Sequence, residues 1–165
     1  MKKFVLVLAL VAIFAAGTAF ADHPNGLGIG VVGGFSGGWS GGGGVPGYGL
    51  SLKLPSMPIF WVANFSAWSD GFWLGLRGDN YRIDDALVDD FLHWYFGLGG
   101  YGSVLISSNY THFDIGVRVP IGLSLQLAQT FEFFIEFAPS IGVYIGDSIG
   151  LGGGWGGAGG IRLWF

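Results

Sequence analysis

Residues 130–145 read Thr-Phe-Glu-Phe-Phe-Ile-Glu-Phe-Ala-Pro-Ser-Ile-Gly-Val-Tyr-Ile. Phe131, Phe133, Ile135, Phe137, Pro139, Ile141, Val143 and Ile145 fall on odd positions. Glu132, Phe134, Glu136, Ala138, Ser140, Gly142 and Tyr144 fall between them. A period of two describes a strand with two different faces. One face is bulky and apolar from end to end, and the other mixes carboxylates, small residues and a hydroxyl. Strands of soluble proteins usually run to about six residues. A strand crossing a bilayer at a tilt needs roughly nine to eleven, apolar outward and mixed inward. The stretch therefore reads as a transmembrane barrel strand. Hydrocarbon tolerates no open sheet edge, so the rest of the chain must supply neighbours and close the sheet.

Seven further segments answer that requirement. Residues 27–35 place Leu27, Ile29, Val31 and Phe35 outward and Gly28, Gly30 and Gly34 inward. Residues 47–54 place Tyr48, Leu50, Leu52 and Leu54 outward, with Ser51 and Lys53 inward. Residues 59–68 alternate weakly, broken at Val62, with Asn64 and Ser66 inward. Residues 72–81 put Phe72, Leu74 and Leu76 out and Trp73, Arg77, Asp79 and Tyr81 in. Residues 92–105 put Trp94, Phe96, Leu98 and Val104 out and His93, Tyr95, Tyr101 and Ser103 in. Residues 112–126 send alternate residues from Phe113 to Leu125 out and His112, Asp114, Arg118, Ser124 and Gln126 in. Residues 155–165 put Ile161, Leu163 and Phe165 out and Ala158, Arg162 and Trp164 in. Residues 36–46 and 146–154 are Gly-rich and read as loops. Residues 83–91 carry Asp84, Asp85, Asp89 and Asp90 without a strand period, and read as a water-exposed connection. Eight strands suit a closed antiparallel up-and-down barrel, with Trp and Tyr near strand ends at the interfaces.

The start of the chain has another character. Lys2 and Lys3 precede an apolar run, and Ala19-Phe20-Ala21 precedes Asp22. This is the pattern of a secretory signal peptide cleaved after Ala21. The expectation is a signal peptide at 1–21 and one barrel domain at 22–165. With no Cys in the chain, no lipid-bearing Cys follows the site and no disulfide is expected. After residue 21 the cations are Lys53, Arg77, Arg82, Arg118 and Arg162, against 11 carboxylates in the whole chain. Such an acidic surface argues against a nucleic-acid partner.

Lys53, Arg77, Arg118 and Arg162 share the inward positions with Asp79, Asp114, Glu132 and Glu136. Unpaired charges in a narrow interior cost several kcal/mol each. Equal numbers of each sign therefore predict a salt-bridge network filling the lumen. An eight-stranded barrel has room for side chains and little else. The expectation is a plugged barrel with a structural or surface-interaction role; the alternative is a narrow pore for small solutes or ions.

Three stretches carry a resemblance: Arg-Val-Pro-Ile-Gly-Leu-Ser at 118–124, Phe-Glu-Phe-Phe-Ile-Glu-Phe-Ala-Pro at 131–139, and the terminal Gly-Gly-Ile-Arg-Leu-Trp-Phe. They look like the small eight-stranded outer-membrane barrels, including short barrels of spirochaetes and other bacteria that resemble the OmpA transmembrane domain, and OmpX. The resemblance implies a bacterial outer-membrane location, with outer-membrane lipid as surroundings. It also implies that Phe165, with Leu163 and Ile161 on its face, is the signal read by the barrel-assembly machinery. It supplies no function, because this fold hosts porins, adhesins and lipid-modifying enzymes alike. An extracellular ligand met by the Gly-Trp loops is a further expected partner. If the N-terminus starts in the periplasm, loops 36–46, 69–71, 106–111 and 146–154 face outside.

Other motifs carry less. Gly28-Ile29-Gly30-Val31-Val32-Gly33 and Gly97-Leu98-Gly99-Gly100-Tyr101-Gly102 match a dinucleotide fingerprint but lack the helix it needs. With 33 glycines such matches arise by chance. His112, Ser107 or Ser108 and Asp114 caricature the Ser-His-acid set of outer-membrane lipid deacylases. His112 and Asp114 sit two apart on one strand face, and a rim histidine is the simpler reading. The four aspartates at 84–90 lack EF-hand spacing. No catalytic residue, cofactor or metal is expected, and the chain reads as a non-enzyme.

Overall fold

The structure, a computed structural model, describes residues 24, 26–38, 45–89, 91–108 and 110–165. The expected signal peptide at 1–21, the loop tip at 39–44 and Asp90 lie outside the described residues. Among those described, nine strand segments run in chain order: β1 Gly28–Gly38, β2 Val45–Lys53, β3 Phe60–Trp68, β4 Gly71–Val88, β5 Leu92–Ser107, β6 Thr111–Arg118, β7 Ile121–Leu127, β8 Phe131–Ile145 and β9 Ile149–Trp164. All pairings are antiparallel, and β9 returns to β1 from Gly28↔Trp164 to Gly38↔Gly154. No sheet edge is left between first and last strand, as a bilayer requires.

β6 and β7 are one barrel strand. Arg118 pairs with Ser140 and Ile121 with Phe137, which is one uninterrupted register against β8. Against β5 the register is equally continuous, from Gly99↔Arg118 to Phe96↔Ile121. The gap is chemical: Pro120 has no N–H to give the ladder. Its carbonyl still accepts from Gly97 N at 2.9 Å, and Val119 N donates to Pro139 O at 3.0 Å. Eight strands therefore close the sheet, as the alternation predicts.

The paired residues also give the stagger. The path Gly28↔Lys53↔Phe60↔Asp79↔Gly99↔Arg118↔Ser140↔Gly154 returns to β1 at Gly38, ten residues beyond its start. With a strand spacing of about 4.8 Å and a rise of about 3.3 Å per residue, eight strands and this offset give a tilt of about 40° and a radius of about 8 Å. The start of β1 and the end of β9 lie at one end of the barrel, the terminal end, where Leu27 and Phe165 exchange backbone hydrogen bonds of 3.0 and 2.9 Å. That terminal end also carries connections 54–59 and 128–130 and the facing ends of β4 and β5, and the far end carries 69–70 and 146–148 with the facing ends of β1 and β2 and of β5 and β6.

The two faces are sorted as the alternation requires. Val31, Leu50, Leu76, Ile115, Ile135 and Ile141 lie exposed on the outside, and Ser51, Asp79, Arg118, Glu132 and Arg162 are buried within. Phe60 and Val62 turn inward, which explains the weak alternation of β3: both of its faces are apolar.

Two expectations are corrected. Residues 83–88 of the acidic stretch are not a water-exposed connection but the second half of β4, paired to β5 as far as Val88↔Leu92. Bulges between Tyr81 and Ile83 and between Ala86 and Val88 insert extra residues. Each bulge shifts the inward frame by one, so no single period of two runs through the segment. Asp84 is thereby turned inside and buried. The second correction is at 146–154, where the connection shrinks to residues 146–148 and Ile149 to Gly154 join β9. Glycines there are wall, not loop: a Cβ on Gly150 would collide with the Tyr144 ring.

Close approach fixes glycine on the inside elsewhere as well. A Cβ on Gly122 would collide with the Tyr95 ring and with the Ile135 carbonyl. Gly102, on the lipid face, has nothing nearer to its Cβ position than Asp114 O at 3.8 Å. Gly122→Val is therefore expected to destabilise the barrel by about 1–3 kcal/mol or more, and Gly102→Ala to be neutral. Unfolding temperature in detergent, followed by heat-modifiable gel mobility, compares the two.

Candidate functional site

The interior side chains arrange themselves in layers across the lumen. Nearest the terminal end, Arg162 of β9 reaches β8 and β2. Its Nη1 donates to Glu132 Oε1 and Oε2 at 2.8 and 2.9 Å, and its Nε to Ser51 Oγ at 2.8 Å. Trp164 Nε1 gives Glu132 Oε2 a third hydrogen bond at 2.9 Å. The guanidinium lies over two rings, 4.7 Å from Phe60 and 4.2 Å from Phe134. Flat, weakly hydrated arginine suits this place between aromatic faces better than lysine would.

Aromatic rings complete the closure. Phe60 of β3 stacks on Tyr81 of β4 at 4.2 Å, and Tyr81 stacks on Tyr95 of β5 at 4.3 Å. Trp164 meets Phe60 edge-on at 6.2 Å. These four rings are buried and form one cluster. They come from four strands, β3, β4, β5 and β9.

The next layer is an ionic quartet. Arg118 of β6 donates to Asp79 Oδ2 of β4 at 2.8 Å and to Glu136 Oε1 of β8 at 2.5 Å. Tyr95 reaches Glu136 Oε2 at 3.4 Å. Arg77 of β4 stands off, 3.6 Å from Glu136 Oε1 and 4.0 Å from Asp79 Oδ2. Two positive and two negative charges cancel. A carboxylate on Gly99's strand partner explains another glycine: a Cβ at Gly99 would collide with Asp79.

Two of the eight expected network residues stand apart. Lys53 gives its ammonium to Leu54 O at 3.0 Å and lies 5.7 Å from the Phe60 ring. Asp114 meets His112 Nε2 at 3.2 Å near the far end, where both side chains are about one-third exposed. His112 stacks on Tyr144 at 5.5 Å. Ser108 of the caricatured hydrolase set donates instead to Asp70 O at 3.5 Å. At the terminal end, Asp84 and His93 come within 3.8 Å of each other. That pair could not be read from the sequence, because the bulge at Tyr81–Ile83 decides which aspartate faces in. No cluster of three or more His, Cys, Asp or Glu suited to a metal occurs among the described residues.

The residues that the charge count missed are the rings. Tyr81, Tyr95 and Trp164 fall on inward positions in the sequence, but nothing local says that three strands bring them into one stack. Removing Arg118 leaves two buried carboxylates without their main partner. Arg118→Ala is expected to cost about 3–5 kcal/mol. Lys53→Met, which breaks no ion pair among the described residues, should change the unfolding temperature far less. Thermal unfolding of both variants in one detergent checks the contrast.

No family model and no curated protein matches the chain. Among solved structures, Neisserial surface protein A superposes with a TM-score of 0.50 at 11% identity, over 84% of this chain and 96% of that one. The N-terminal β-barrel domain of Pseudomonas aeruginosa OprF superposes at 0.48 with 14% identity, over 84% and 97%. At such identities the likeness is one of fold. With its closed sheet and apolar exterior, the chain has the fold of the small eight-stranded outer-membrane β-barrels of the OmpA and OmpX type.

Proposed function

We propose that this chain is a non-enzymatic barrel of the bacterial outer membrane whose role is structural or surface-interacting, and whose lumen does not conduct. One observation supports the reading: toward the terminal end, the Arg162–Glu132 pair and the cluster of Phe60, Tyr81, Tyr95 and Trp164 bring buried side chains of β3, β4, β5, β8 and β9 together inside the barrel. A barrel of about 8 Å radius has an interior only wide enough for such side chains. Buried ion pairs of good geometry are costly to break singly, so the plug is held as a unit. Its surroundings are outer-membrane lipid on the exposed apolar face, with any extracellular ligand met at the loops of one end. Phe165 continues the outward row of Ile161 and Leu163, and we assign these three as the segment engaged by the barrel-assembly machinery.

Refolded protein that shows a heat-modifiable gel shift is expected to be silent in a planar bilayer. Discrete, reproducible conductance steps that change when Arg118 or Glu136 is neutralised would instead establish the narrow-pore alternative. Refolded protein should likewise give no turnover of lipid A or of a nitrophenyl ester. In cells, Phe165→Ala should lower the amount of folded barrel in the outer membrane, while protein refolded in detergent keeps its unfolding temperature.

A further inference from the structure

The far half of the lumen is not filled. A cavity of about 470 Å3 runs from the Arg77–Arg118 layer toward Gly37, Gly38 and His112 at the far end. The closed-lumen role makes no use of it. Its shape follows from side-chain size on facing strands. β1 and β9 turn bare backbone inward at Gly34, Gly154 and Gly156, and the opposite wall carries Trp73 and Tyr101. Both rings lie against backbone. A Cβ on Gly75 would press on the Trp73 indole, and one on Gly116 or Gly142 on the Tyr101 ring. Aromatic faces therefore bound a slot whose other side is glycine.

Arg77 stands at the floor of the slot. Arg118 is saturated by Asp79 and Glu136, but Arg77 lies beyond hydrogen-bond distance of both carboxylates. Its Nε is buried and has no acceptor. The Arg77 side chain as a whole keeps part of its surface exposed and lines the cavity, so an oxyanion there meets the terminal guanidinium nitrogens, which neither carboxylate holds at hydrogen-bond distance. A guanidinium edge is shaped for two parallel hydrogen bonds to a carboxylate. The volume lies within the range of small-molecule sites, about 300–1,000 Å3. Asp114 lines the rim and Glu136 lies 3.6 Å from Arg77, so the site disfavours a ligand carrying more than one negative charge.

We propose that this cavity binds a small, flat monocarboxylate, with its carboxylate on Arg77 and its body between the Trp73 and Tyr101 faces and the glycine wall. Such a ligand enters from the far end, toward which the cavity runs. The site holds whether or not the barrel ever conducts.

Isothermal titration of the refolded protein in nanodiscs with benzoate, phenylacetate and indole-3-acetate tests it, with benzamide as the uncharged comparison. At least one carboxylate should bind saturably with one site per barrel, and benzamide about tenfold more weakly or not at all. Arg77→Gln should weaken carboxylate binding by about tenfold or more. Gly156→Leu blocks the slot without touching Arg77, and its Cβ fits, since the nearest atom is Phe35 O at 3.4 Å. Binding should be lost there too, with the gel shift of a folded barrel retained. The proposal is overturned by no saturable binding of any of the three acids, by benzamide binding as well as benzoate, or by binding that survives in folded Gly156→Leu. Undiminished binding by folded Arg77→Gln overturns it equally. If Arg77→Gln does not fold, the benzamide comparison and Gly156→Leu still decide the matter.

Discussion

Hydrocarbon offers no partner to a backbone N–H or C=O, and the closed ladder of this barrel answers that single constraint. Eight strands can close only with a tilt, and here the tilt appears as a ten-residue offset around the ring. Tilt and strand number then set a radius of about 8 Å, and with it the space inside. Even the one residue that cannot donate, Pro120, is placed so that its neighbours keep the ladder in register on both sides.

A narrow interior imposes its own rule on side chains. Large inward residues need small ones across from them. Tyr95 has Gly122, Tyr144 has Gly150, and Phe134 has Gly160. Charges inside must be paired or stacked, and Arg162 is both. The rule is met differently in the two halves. Toward the terminal end, rings and ion pairs from several strands meet inside. Toward the far end, the glycines of β1 and β9 face two flattened rings and leave a slot. One wall of the same barrel is thus a plug partner at one level and an open surface at another.

Much of the architecture is legible locally. The alternation of β8 identifies its outward and inward faces residue by residue, and Ser51, Lys53, Asp79, Arg118 and Arg162 all fall inside as their spacing requires. Legibility fails where the local signal depends on a partner strand. A bulge reverses the frame after Tyr81, so Asp84 cannot be assigned a face without knowing its pairing to β5. Glycine at 150–154 looks like a flexible loop by composition and is a paired wall because Tyr144 and Ser140 lie beside it. Charge counting misses the buried Asp84 and does not say which of its eight residues meet: Lys53 and Asp114 stand apart from Arg118.

The sequence by itself determined that the chain forms long amphipathic strands, which side of most strands faces outward, and that charges of both signs face inward. Period two and residue polarity are local properties, readable without a partner. Tertiary structure alone decided the stagger, and through it which inward residues share a level. That level decides that Phe60, Tyr81, Tyr95 and Trp164 become one stack, that Arg118 takes both carboxylates, and that Arg77 is left beside an open slot. The physical reason is that levels arise from registers summed around a closed ring, and each register is a property of two strands, never of one.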